Sequence, residues 1–330
     1  MKPKRFYHRI SPLFFTGIFF LQFSIAFSQK NDSTYDEIPL AYKVFEEHEN
    51  KECASDVKIN KKRFWFVTGA HTVGYGASLY GLSQIWYNNF AQDKFHSFND
   101  MDQWGGMDKF GHVTTAWQLS NFSYRLYRYT NMKNERAAFV GSTVAMLYQT
   151  TLEIFDGYAA EWGFSWGDMG ANLLGAGFAY LRNTGKMKNI QYKFSYYKTK
   201  YPQYRPNVLG KNSSEQVLKD YNGQNYWLSI NLPKNWFKNT EHNWLCFSIG
   251  YSIDGFTGGS QNYFDASITN PPTFERVGEF FFSFDIDFTK LNIKSRLLKN
   301  VLKVFNVIKI PCPAIGVSTN GKLLLKPFYF

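Results

Sequence analysis

Cysteine is nearly missing from this sequence: Cys53, Cys246 and Cys312 are the three present in 330 residues, far apart and odd in number. At most one disulfide can form within the chain, so the fold is not a cystine scaffold, and no pair has the close spacing of a thiolate metal site. Nor is there a phosphate loop, a nucleophile elbow of the Ser-His-Asp hydrolases or a paired-His zinc motif. No internal repeat is evident. What is abundant instead is aromatic: 19% of residues, with 22 Tyr and 33 Phe. That density suits a protein with much of its surface near a membrane interface.

Basic residues outnumber acidic ones, 37 to 26. Four of the positive charges, Lys2, Lys4, Arg5 and Arg9, precede an apolar run, Leu13 to Leu21, and the small residues Ala26 and Ser28. This is the pattern of an export signal, predicted to span residues 1–28 with cleavage after Ser28. No Cys stands at that point, so the sequence offers no lipid-attachment site there. The remaining excess of about 7 is moderate and does not imply nucleic acid, which export makes an unlikely partner. Anionic lipid headgroups and envelope glycans lie closer at hand.

Residues 29–60 are polar and acid-rich and read as an exposed leader. From Phe64 to Tyr87 no fixed charge occurs. That is long enough to span hydrocarbon at about 20 residues, yet Thr, Ser, Gln84 and His71 make it weakly hydrophobic. We read it as a helix buried on several sides. Further helices are predicted at about 107–129, at 134–156 with Asn134 as cap, and from Trp166 to Asn183-Thr184-Gly185.

The period then changes to two. Tyr192, Phe194 and Tyr196 alternate with Lys193 and Ser195; Leu245 to Ile253 and Phe280 to Phe288 alternate likewise, as half-buried strands do. Between the later strands, Lys294 to Lys309 carries Leu297, Leu298, Val301, Leu302 and Phe305 on one helical face, with Lys299 and Lys303 off it. Such a helix packs on its own sheet or lies on a membrane. At the end of the chain, Lys322 and Lys326 share their parity with Phe328 and Phe330, which spoils a lipid-facing stripe, and five or six strands fall short of eight. The expected fold is therefore α+β: a four-helix N-terminal bundle within a helical domain, 61–185, followed by an antiparallel sheet region with an amphipathic helix, 186–330. The Lys- and Tyr-rich segment 186–205 is expected to anchor at headgroups or to form an edge strand.

The most informative stretch is Trp104 to His112. Asp108 and His112 stand four apart; Glu153 and Asp156, and Asp168 and Asn172, repeat the device on two further helices. Residues so spaced share a helical face. Buried ionisable groups are costly unless they pair, bind an ion or do chemistry, so three such pairs predict one shared polar pocket. As catalytic groups, Asp108 would orient His112 as base with Glu153 holding a proton; as ligand-binding groups, Lys109, Asp156, Asp168 and Asn172 would face a headgroup. Asp108, His112, Glu153, Asp156 and Asp168 also form a donor set for a divalent cation of the hard or borderline kind, with His71 as a second imidazole. A purely structural network, with Lys109 neutralising a carboxylate and Asp168 serving the start of its helix, stands beside these.

On Phe95 to Asp100, Met107 to His112, Glu153 with Asp156-Gly157, and Gly163-Phe164-Ser165 followed by Asp168, Asn172 and Gly175, the chain resembles the YfiM-like family of predicted periplasmic lipoproteins over about residues 60–185. A weaker likeness runs to VanZ-like membrane proteins. The resemblance implies an envelope location and supplies no activity. We therefore expect an exported, outer-membrane-associated or periplasmic protein whose helical pocket binds an envelope lipid or glycan headgroup or supports an outer-membrane assembly. An enzyme acting on envelope lipid or peptidoglycan precursors, and a small outer-membrane barrel, are the alternatives.

Overall fold

The computed structural model describes residues 58–85, 91–160, 163–233 and 244–329. The expected export signal, nearly all of the polar leader, Cys53 and Phe330 lie outside these residues. The chain is α+β, as expected, and it divides into two compact units. One comprises the described residues up to Asn99 and those of Gly111–Lys188; the other comprises Asp100–Phe110 and the described residues from Asn189 onward.

In the helical unit, α1 spans Lys61–Ile85, α2 Met107–Tyr129 (its first turn counted with the other unit), α3 Asn134–Gly157 and α4 Trp166–Asn183. The helices lie where the apolar periodicity placed them. Two glycines set their spacing: a Cβ on Gly175 of α4 would stand 2.3 Å from the Val113 carbonyl oxygen, and one on Gly141 of α3 would stand 2.7 Å from the Tyr124 nitrogen. Only a bare Cα lets backbones approach so closely. Leu119, Ala145, Tyr148 and Leu152 form the apolar contact between α2 and α3.

Helix α1 departs from its expected burial. Tyr75 reaches Thr151 and packs on Tyr148, and Val67 is buried, but Trp65, Phe66, Val73 and Tyr80 are exposed. These contacts place α1 against α2 and α3 along one side, which falls short of a closed four-helix bundle. Among the described residues no helix is long and apolar enough to cross a membrane. Asn134 does not cap α3. Lys133 holds the cap position, while the Asn134 amide accepts from Tyr124 Oη and donates to the Asn183 carbonyl, tying the ends of α2 and α4.

In the sheet unit, β1 (Ile190–Tyr196), β2 (Gln224–Asn231), β3 (Leu245–Asp254), β4 (Val277–Ile286), β5 (Cys312–Ser318) and β6 (Leu323–Tyr329) form one antiparallel sheet in sequential order. Short helices α5 (Pro206–Leu209) and α6 (Ser213–Lys219) precede β2, and α7 (Arg296–Phe305) precedes β5. β1 is an edge strand, as expected, and its outer edge bonds to Val307 and Lys309. Trp104, Gly105 and Gly106 all have positive φ, forming a hook whose Trp104 N–H donates to the Gly259 carbonyl and whose Gly105 carbonyl accepts from Tyr251 Oη.

The outer face of the later strands is apolar, and the enclosed face mixes polar residues with an apolar cluster of Trp227, Phe281, Ala314 and Tyr329. The enclosed face carries Ser229, Ser248, Ser283 and Asp285, all buried, whereas Phe280, Phe282 and Phe284 point outward and are exposed. Tyr329 crosses the enclosed side, its hydroxyl donating to Asn225 Oδ1 at 2.8 Å and its ring 4.3 Å from that of Phe281. The expected clash of lysines with the apolar stripe is removed by a bulge: Cys312 pairs with Tyr329 but Ala314 with Lys326, so three steps on β6 match two on β5. Lys326 thereby faces with Ala314, while Phe328 joins Leu323 and Leu325 outside. Helix α7 also turns outward, with Leu297, Leu298, Val301 and Phe305 exposed rather than packed on the sheet.

Candidate functional site

His112 occupies the centre of a polar cluster inside the helical unit. Its Nδ1 lies 3.1 Å from Asn172 Oδ1 and 3.6 Å from Glu153 Oε1, and its Nε2 lies 3.3 Å from Asp168 Oδ1. Three helices supply these groups: α2 the imidazole, α3 Glu153, and α4 the Asp168 and Asn172 pair, brought to one face by their four-residue spacing. His112, Glu153, Asp168 and Asn172 are exposed by 4% or less.

The direction of the hydrogen bonds follows from Gln149. Its Nε2 donates to Asn172 Oδ1 at 2.7 Å, so that oxygen is an acceptor and the His112 Nδ1–H must donate to it. The other ring nitrogen is left facing the Asp168 carboxylate. A proton on either partner, or a cation between them, satisfies such a contact. Asn172 Nδ2 and Gln149 Oε1 have no hydrogen-bond partner among the described residues, although both side chains are buried.

Glu153 has a second task. Its Oε2 accepts the backbone N–H of Ser165 at 3.3 Å, and Ser165 Oγ in turn accepts the Asp168 N–H at 3.1 Å as the N-cap of α4. Asp168 thus sits in the first turn of α4, where the helix dipole favours a carboxylate. Asp156 is buried three residues beyond Glu153 on α3.

Asp108 and Lys109 belong to the sheet unit. Asp108 accepts from Tyr221 Oη at 3.2 Å and from Lys109 Nζ at 3.3 Å, and Lys109 Nζ also reaches Asp100 Oδ1 at 2.6 Å. Lys109 therefore neutralises carboxylates, the structural role weighed for it. His71 is not a second imidazole of this cluster. Its Nε2 bonds Ser123 Oγ and its Nδ1 the Val67 carbonyl, its ring stacks on Tyr127, and burial pushes it below the usual imidazole range.

Gln149 and Ser165 are the members that sequence reasoning missed. Both left a signal: Gln149 lies four residues before Glu153 on the same helical face, and Ser165-x-x-Asp168 is the spacing of a helix N-terminus.

No curated protein and no solved structure matches the chain. The family likeness read from the sequence is borne out, over a shorter stretch than expected and for the lipoprotein family rather than the VanZ-like one. Residues 96–184, which carry His112, Glu153, Asp168 and Asn172, match the model of the family described as predicted periplasmic lipoprotein (DUF2279).

Proposed function

We propose that this is an exported protein of the cell envelope, associated with the outer membrane, whose helical unit supports an envelope assembly rather than turning over a substrate. The family match supports the envelope location, and the basic and apolar opening of the chain agrees with export. One observation carries the supporting role: His112, 4% exposed, lies between Glu153 and Asp168 and joins α2, α3 and α4 through their side chains. Buried polar side chains bonded across several elements help to specify one arrangement of those elements. A headgroup or an envelope precursor needs an approach to the imidazole, and a ring this buried offers little, so binding of a lipid or glycan headgroup and the enzyme reading both rank behind support.

The test is His112→Ala in cells, with envelope integrity, complex recovery from solubilised outer membranes and the melting temperature of the purified protein all measured. Support predicts that assembly and stability fall together. An intact complex with a lost envelope phenotype would instead indicate chemistry at His112.

A second reading, a divalent cation between His112 Nε2 and Asp168, is favoured by their 3.3 Å separation. Two ligands each about 2 Å from one ion stand about 3 Å apart. Metal analysis of the purified protein decides it: stoichiometric metal lost in His112→Ala upholds this reading, and its absence from the parent ends it.

A further inference from the structure

A sheet folded for water keeps its apolar side chains inside and its polar ones out. The sheet unit departs from this: across several strands its outward side chains are apolar, while many of its enclosed ones are polar. On the enclosed face, Ser229 Oγ donates to Asp285 Oδ2 and meets Ser248 Oγ, both at 2.8 Å, while Lys193 Nζ pairs with Asp285 Oδ2 at 2.7 Å. Lys309 Nζ donates to Ser283 Oγ at 3.0 Å and lies 4.6 Å from the centre of the Trp227 ring. The interior thus holds a bonded polar network beside a small apolar cluster of Trp227, Phe281, Ala314 and Tyr329.

On the opposite face the register aligns apolar residues in unbroken rows. Ile249 pairs with Phe282, Phe282 with Ile315, and Ile315 with Leu325, and their exposures run from 40% to 67%. A parallel row joins Phe280, Val317 and Leu323. The bulge on β6 adds Phe328, 82% exposed, to this side and keeps Lys326 off it. Helix α7 repeats the theme with its own exposed Leu297, Leu298, Val301 and Phe305, and with Lys294, Lys299 and Lys303 on the same short segment.

We propose that the outer face of β3–β6, together with α7, is a lipid-docking surface seated on the hydrocarbon of a bilayer, its lysines meeting anionic headgroups. Polar-in, apolar-out alternation is the arrangement that hydrocarbon selects, because lipid takes the outward side chains while the polar groups satisfy one another within. Lysines flanking an apolar helical face add attraction to an anionic surface. β3 and β4 have ten residues, but β5 and β6 have seven, short of the 9–11 of a crossing strand, so the contact is taken as a docked face. This inference builds on the envelope location proposed above, but its test uses purified components and is independent of it.

The full chain is purified in mild detergent, the detergent is removed in the presence of vesicles, and co-flotation is scored. Vesicles of phosphatidylethanolamine with phosphatidylglycerol are compared with phosphatidylcholine alone. The parent is expected to float with the anionic vesicles and less with the neutral ones. The triple substitution Phe280→Ser, Phe282→Ser and Ile315→Ser should lower the bound fraction at least tenfold. So should Leu297→Ser with Val301→Ser, a pair confined to α7 that leaves the strands intact if the triple variant fails to fold. Lys299→Glu with Lys303→Glu should abolish the preference for anionic vesicles. Parent-like flotation of the α7 pair and the triple variant overturns the proposal. So does a parent that forms dimers or larger oligomers without floating, which would assign the face to a second copy.

Discussion

Glu153 Oε2 on α3 accepts the backbone N–H of Ser165 at the start of α4, at 3.3 Å, so one helix completes the cap of the next. The same carboxylate lies 3.6 Å from His112 through its other oxygen. Charge balance at the imidazole and the geometry of a helix terminus are thereby assigned to a single side chain.

Glu153→Ala should therefore destabilise the helical unit by about 1–3 kcal/mol, the cost of leaving a buried donor without its acceptor. Glu153→Gln retains an oxygen for the Ser165 N–H and should recover part of that loss. Urea unfolding of the two variants checks this; equal midpoints for Ala and Gln would show that the cap contributes nothing.

The contact between α2 and α4 depends on Gly175, where an added Cβ would stand 2.3 Å from a backbone oxygen. Gly175→Val should cost about 1–3 kcal/mol or more, since backbone cannot yield as a side chain does. Gly177, two residues on, has nothing within 4 Å of its Cβ position. Gly177→Ala should stabilise by up to about 1 kcal/mol through helix propensity. Opposite shifts in melting temperature are expected for the two.

Burial raises the Asp220 carboxyl to about 6 against 3.8 for the free side chain, although Thr199 and Asn222 hydrogen-bond it. Between those values the folded protein holds a proton that the unfolded chain has released. The contribution of this group to stability is thus full below about pH 3.8 and is lost as pH rises through about 6, an effect on the order of 3 kcal/mol. Asp220→Asn should flatten the stability profile between pH 4 and 6.5. The readout is the denaturation midpoint of parent and variant across that interval; parallel profiles would contradict it.

Much of the helical unit was legible in the sequence because its signals are local. Apolar period, Asp168 in the first turn and Gly185 bound α4, and the spacing of Asp168 and Asn172 with Glu153 and His112 pointed to a common interior. Gln149 escaped because a lone Gln on a helix reads as a solvent-facing residue until a neighbouring helix covers it. Asn134 was mistaken for a cap because cap residues also bridge helices. In the sheet, period two reveals alternation but not which face is enclosed. Phe280, Phe282 and Phe284 were therefore correctly paired as one stripe without an assignment of the side they would take. The extra residue on β6 left no sequence signal strong enough to show that Lys326 and Phe328 part company.

That extra residue makes the last strand a matter of counting. Removing Pro327 would leave two steps on β6 against two on β5, so Phe328 would stay outward and the Tyr329 hydroxyl would keep its side, toward Asn225 and Ser252. The strand would still pair along its backbone, and the side chains past the deletion would keep the faces they hold now. Pro327 is consequently a position at which this strand can lose a residue without exchanging its two faces.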